Sequence, residues 1–240
     1  MILHVLPGDS LVKEFQTADI DGNVVVCREC LVVGDVSGNT LAEFWDRRAN
    51  FVAIDYAGDP IEYQENVAYE LERLIGLSAD DEVNLWFEYE LFCQVNMWFC
   101  LDLIKDGQAS VFRVEPMNAS PDDVWKGFGS LGADDLANCF EARTKFSAED
   151  IETGSRLWHA FRNRDAEELK RLSEFRSPCF PFLKEVCEAA AEIESKPSEI
   201  VRELKVLGYK DFDKLFPEFQ KRAGVYGFGD LQVERLMEAV

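Results

Sequence analysis

Residues 1–15 read MILHVLPGDSLVKEF. The apolar run ILHVL (2–6) is stopped by Pro7-Gly8, and SLVKEF (10–15) then has helical spacing, with Asp9 or Ser10 available to cap it. A strand, a tight turn and a helix in immediate succession predict an α/β fold. In such a turn the first backbone N–H groups of the helix point outward at the carboxyl end of the strand.

The pattern recurs downstream. NVVVCRECLVV (23–33) is β-branched and continuous, as a strand buried on both faces is. TLAEFWDRRANFVAI (40–54) and IEYQENVAYELERLIGL (61–77) have the spacing of amphipathic helices. EVNLWFEYE (82–90) is a strand running into the helix LFCQVNMWFCLDLI (91–104), which is apolar nearly all round and predicts burial between layers. The aromatic residues Trp86, Phe87, Phe92, Trp98 and Phe99 belong to that core, and ASVFRVEP (109–116) is a further strand. Strands alternating with helices predict a mostly parallel, Rossmann-like sheet flanked by helices, joined by right-handed crossovers.

Past the turn formers EPMNASPDD (115–123) the composition becomes that of an all-α domain. Ser147 and Asp165 are helix starts, with Asp150 and Glu168 three residues on. Pro181 and Pro197 suit first turns, and Gly208 and Gly224 read as helix stops. The division expected is an α/β domain over 1–118 and a helical domain over 119–240. Residues 197–216, PSEIVRELKVLGYKDFDKLF, supply two helices of a winged-helix-like end. No internal repeat is evident.

Composition narrows the function. The 240 residues are 47% apolar, enough to bury a sizeable core, and carry a net charge of −21. There are 22 acids against 7 bases over 1–118, and 24 against 18 over 119–240. That field repels phosphate backbones and anionic membranes, so nucleic acid is an unfavourable partner. No apolar run is long enough to span a bilayer, and no basic segment followed by an apolar stretch and a cleavage site opens the chain. A cytoplasmic protein is expected. Seven cysteines at irregular spacing make a poor disulfide framework. Cys27-x-x-Cys30 lacks a second ligand pair, so neither zinc nor haem is expected, and only weak Mg²⁺ or Ca²⁺ binding by carboxylates is left open.

Gly8-Asp9-Ser10-Leu11 spells the signature of a family of serine hydrolases. That chemistry needs a histidine base preceded at three residues by an aspartate. The chain has only His4, inside the first strand, and His159, preceded at that offset by Arg156. Without a base the hydroxyl is a weak nucleophile, and the hydrolase reading is rejected.

The strand ends are the better guide. Asp9 and Ser10 follow the first strand, Arg28 and Glu29 stand at the end of the second in VVVCRE, Glu88 and Glu90 close the third, and Glu115 closes the fourth. In a parallel sheet these converge on the carboxyl edge, where ligands bind. The candidate ligand-binding set is Asp9, Ser10, Arg28, Glu29, Glu88, Glu90 and Gln94. In it Arg28 anchors an anionic or carbonyl group, and Glu88 or Asp9 serves as base or cation ligand.

HVLPGDS, VVVCRECLVVGDV and LWFEYELFCQVNMW together resemble the bacterial family called domain of unknown function 1835. The resemblance covers about the first half of the chain, and Gly34-Asp35 departs from the family's Gly-Pro turn. VYGFGDLQVERL resembles the segment ending a helical companion domain. The resemblance implies no established reaction; it implies that His4, Asp9, Ser10, Arg28 and Gln94 belong to a shared pattern. Two functions follow as expectations: a small polar ligand or enzyme site at the carboxyl edge of the sheet, or a noncatalytic regulatory module that docks a protein partner through its helical half.

Overall fold

The computed structural model describes residues 1–117 and 121–240. The chain runs from β1 (Ile2–Leu6) through a 3-10 turn (Asp9–Leu11) into α1 (Val12–Thr17), then β2 (Asn23–Val26) and α2 (Leu41–Tyr56). Next come α3 (Pro60–Tyr63), a π-helical turn (Gln64–Ala68), α4 (Tyr69–Glu72), β3 (Glu82–Trp86), α5 (Leu91–Ile104) and β4 (Ser110–Val114). A 3-10 stretch (Pro121–Lys126) precedes α6 (Ala133–Glu141) and β5 (Thr144–Lys145). The rest is helical: α7 (Ala148–Arg162), α8 (Ala166–Leu172), α9 (Leu183–Glu192), α10 (Lys196–Val206), α11 (Phe212–Ala223), a 3-10 turn (Gly224–Tyr226) and α12 (Asp230–Ala239).

The strands form one sheet in the order β2-β1-β3-β4-β5. The first four are parallel and β5 lies antiparallel on β4. The strand order reverses between β1 and β3, so the carboxyl ends of these two strands flank the topological switch point.

Alternation along the strands builds a core on each face. Leu3, Val5, Val83, Leu85 and Val111 face one way, into a core with α2, α5 and α7 that continues to Val233 in α12. Leu6, Trp86 and Val114 face the other way, against Phe15 of α1 and Leu136 of α6. Residues past 119 therefore supply a helix and an edge strand to the sheet as well as the outer helices. Helix α5 is buried along nearly its whole length because it lies between the sheet and α7. Gly154 makes that approach close: a Cβ there would stand 2.3 Å from Leu101 Cδ1.

Helix starts follow the chemistry of their caps. Thr40 accepts from the Glu43 N–H, Asp165 from the Glu168 N–H, and Ser147 and Asp150 form a capping box. Pro197 lies in the first turn of α10.

The structure corrects several expectations. The run 23–33 is not one strand. Its ladder ends at Val26, apart from a last bond from the Cys27 N–H to the Leu6 carbonyl at 2.9 Å. The partner strand there meets Pro7, which has no N–H and turns the chain away. Cys27 and Cys30 therefore lie beyond the strand. Asp9 and Ser10 do not cap α1; the N-cap position before the 3-10 turn is Gly8, with no side-chain bond. The run 61–77 is divided by the π-turn. Pro181 precedes α9, whose N-cap is Phe182. The segment 196–240 forms helices and a 3-10 turn but no strand, so no wing is built there. The boundary between 118 and 119 lies outside the described residues. Among the described residues, no helix is long and apolar enough to cross a membrane.

Candidate functional site

At the ends of β1 and β2, Arg28 closes on Asp9. Its Nε lies 3.1 and 2.9 Å from the two Asp9 carboxylate oxygens, its Nη2 donates to Oδ1 at 2.8 Å, and its Nη1 donates to the Asn66 carbonyl at 2.9 Å. Three of its five donors are thus used within the chain. Ser10 is exposed beside this pair.

Glu29, one residue on, turns the opposite way and is buried. It pairs with Arg48 of α2, with Nη2 to Oε2 at 2.7 Å and Nε to Oε1 at 3.2 Å. Tyr63 donates its hydroxyl to the same carboxylate. Burial, then the Glu29 charge, pushes that hydroxyl up. Arg48 also donates to the Val33 carbonyl at 2.7 Å. Asn96 of α5 donates to the Glu29 carbonyl at 2.7 Å and accepts from the Leu31 N–H at 3.3 Å. Every partner is internal, so Glu29 holds the irregular segment 27–35 in place against α2 and α5. Satisfied in this way, the buried charges are tolerated.

The third group lies past β3. Glu90 is the N-cap of α5 and accepts from the Cys93 N–H at 3.1 Å. Glu88 accepts from the Phe128 N–H at 2.7 Å. Gln94 reaches back to donate to the Glu88 carbonyl at 2.6 Å. One ligating atom from each of Glu88, Glu90 and Cys93 lies within 4.8 Å of the others. Burial, reinforced by the Glu88 charge, pushes the Glu90 carboxyl up to about 8, while burial raises Glu88 and Cys93 as well. Glu88 and Glu90 line a cleft of about 660 Å³ together with Lys126 and Lys221, and its walls include Trp125, Phe219 and Phe228. Asp9, Ser10, Arg28 and Glu29 do not line this cleft. The seven candidates therefore divide into an exposed ion pair with Ser10 beside it, a buried structural pair, and an acidic cleft floor with Gln94 bracing it.

His4 points away from the edge. Its Nδ1 accepts from the Trp86 indole N–H at 3.2 Å, and its Nε2 lies 3.0 Å from the Asp21 carbonyl. That arrangement requires a neutral ring with the proton on Nε2. Burial lowers its basicity. His159 lies 3.2 Å from Asp102. Neither histidine is a partner of Ser10.

Sequence reasoning missed Arg48, Tyr63 and Asn96, which hold Glu29. Arg48 stands beside Arg47 on a helix pattern and nothing local separates them; Asn96, polar inside an apolar helix, carried a signal. It also missed a recurring tripeptide. Gly127-Phe128-Gly129 and Gly227-Phe228-Gly229 are the same string, and both first glycines are left-handed, at φ 61° and 67°. Gly127 backs onto the Glu88 carboxylate and Gly227 onto that of Glu90, leaving no room for a Cβ at either place.

Comparisons with known protein families, with curated proteins and with solved structures find no match.

Proposed function

We propose that the chain binds a small polar ligand with a cationic group in the cleft over Glu88 and Glu90. The reading sees the first half as a Rossmann-like unit, kin to domain of unknown function 1835, with the helical second half as the far wall of its site. The observation that carries it is the acid pair past the carboxyl end of β3, Glu90 buried and Glu88 half-buried, lining an open cleft. Glu90 is relieved of the Glu88 charge by holding a proton up to about pH 8, and a cation that displaces this proton relieves the pair in the same way; the aromatic walls Trp125, Phe219 and Phe228 favour an organic one. A weakly held Mg²⁺ or Ca²⁺ is the smallest such ligand.

An enzymatic use of the same cleft has in its favour a buried glutamate, Glu90, that lines an open cleft beside a second carboxylate. A carboxyl group at about 8 exchanges its proton near neutral pH, as a general acid or base must.

Calorimetric titration with putrescine, agmatine, choline, Mg²⁺ and Ca²⁺, with acetate as the anionic control, tests the reading. At least one cation binds, acetate does not, and Glu90→Gln weakens the binding about tenfold or more. If no cation binds, or if Glu90→Gln binds as the native chain does, the reading fails.

A further inference from the structure

Phe228 also lines a second cavity, of about 470 Å³. This one opens between the irregular segment after β2, the end of α2, the α7–α8 junction, the end of α9 and α12. Its interior is apolar, with Leu31, Phe161, Leu169 and Ala190 buried in the main core. Its charged residues are of the opposite kind to the rest of the molecule. Arg162, Arg164 and Arg235 line it against one carboxylate, Glu194, in a chain of net charge −21.

Those guanidiniums retain donors. Arg162 gives one bond to the Gly38 carbonyl at 2.6 Å. Arg235 donates to the Asp55 carbonyl, lies 3.9 Å from the Asp55 carboxylate and stacks 4.3 Å over the Tyr56 ring. Among the described residues Arg164 pairs only with Glu194, and its side chain is 76% exposed. A guanidinium has five donors, so each has capacity for a further acceptor. The backbone of Arg164 is left-handed, at φ 56°, directly after the Asn163 that ends α7. Glycine is the residue that takes that conformation without cost. Among the described residues, the side chain of Arg164 sets against that cost only the exposed pair with Glu194, and an exposed ion pair contributes little.

We propose that this cavity binds a small amphipathic anion. The apolar body fills the space over Leu31, Phe161 and Leu169. A carboxylate or phosphate head is held by the arginines, whose planar forks match either group. The site is separate from the acidic cleft and takes ligands of the opposite charge.

The full chain is titrated calorimetrically with decanoate, decyl phosphate, decanol and acetate. At least one of the two long-chain anions binds, and the better of them identifies the head group. Decanol and acetate bind weaker by about tenfold or more, because each lacks one half of the recognition. Arg164→Gly relieves the left-handed backbone, so its urea midpoint equals or exceeds that of the native chain, yet its affinity for the anion falls about tenfold. Arg235→Gln lowers affinity in the same direction. Glu90→Gln leaves anion binding unchanged, which keeps this site distinguishable from the acidic cleft. Failure of both anions to bind overturns the proposal. So does binding of decanol as tight as that of the anions, or native affinity in both arginine variants.

Discussion

Gly227 and Glu90, far apart in the chain, are pressed together so closely that a Cβ on the glycine would stand 1.8 Å from Glu90 Oε2. The glycine is also left-handed, at φ 67°. Gly227→Ala therefore has to strain the backbone and expel the carboxylate that caps α5. The expected loss is about 2–5 kcal/mol, the sum of a left-handed alanine and an overpacked contact. Urea denaturation measures it. A companion Glu90→Ala change, which vacates the contact, should recover part of the loss in the double variant.

The pH dependence of stability follows from the same carboxyl group. Glu90 titrates at about 8 in the folded chain and near 4.5 when unfolded. Between those values the folded state holds a proton that the unfolded state has released. Stability is therefore greatest below about pH 4.5 as far as this group is concerned, falls as pH rises, and levels off past about 8. The decline amounts to a few kcal/mol, because each tenfold difference in proton affinity between the two states is worth about 1.4 kcal/mol. Glu88 acts in the same direction. Glu90→Gln keeps an acceptor for the Cys93 N–H and removes the titration. Its urea midpoint should gain on the native chain between pH 5 and pH 8; equal slopes for the two proteins across that range would refute the assignment.

Arg48 and Glu29 are both nearly inaccessible, at 0% and 1% side-chain exposure. Arg48→Met leaves Glu29 buried without its cation and should cost about 3–5 kcal/mol. Arg48→Lys recovers little, because one ammonium cannot span two carboxylate oxygens and the Val33 carbonyl as the fork does. Thermal and urea melts of the two variants are the check.

Arg28 and Asp9 form an ion pair of similar geometry at the surface, with side chains 35% and 65% exposed. Arg28→Ala should change stability by only about 0–1 kcal/mol, and less at high salt. A loss near that of Arg48→Met would mean that the β1 turn depends on this pair.

Much of this was legible in the chain. The runs read as strands at 2–6, 82–90 and 109–116 each hold one, at Ile2–Leu6, Glu82–Trp86 and Ser110–Val114, and the order of strands and helices carried the mostly parallel sheet. The glutamates after β3 were placed at its carboxyl end because a strand leaves its last residues there. Local pattern suffices where an element's own apolar side chains decide which way it faces. It failed at residues 27–33, equally apolar and β-branched, because a strand needs a neighbour to accept its bonds, and β1 offers none after Leu6.

The charged residues show the division most clearly. Arg28 and Glu29 are adjacent and read alike as strand-end polar groups, yet one is at the surface and the other is sealed inside. The sequence by itself determined the sheet, its carboxyl edge and the residue types found there. Only the tertiary structure decided which charge is buried, which carboxyl keeps a proton, and which charged residues share a cavity. Hydrophobic periodicity is a property of neighbours in the chain, whereas the cost of burying a charge depends on the groups that reach it through space: Arg48 and Tyr63 for Glu29, Gly127 for Glu88 and Gly227 for Glu90.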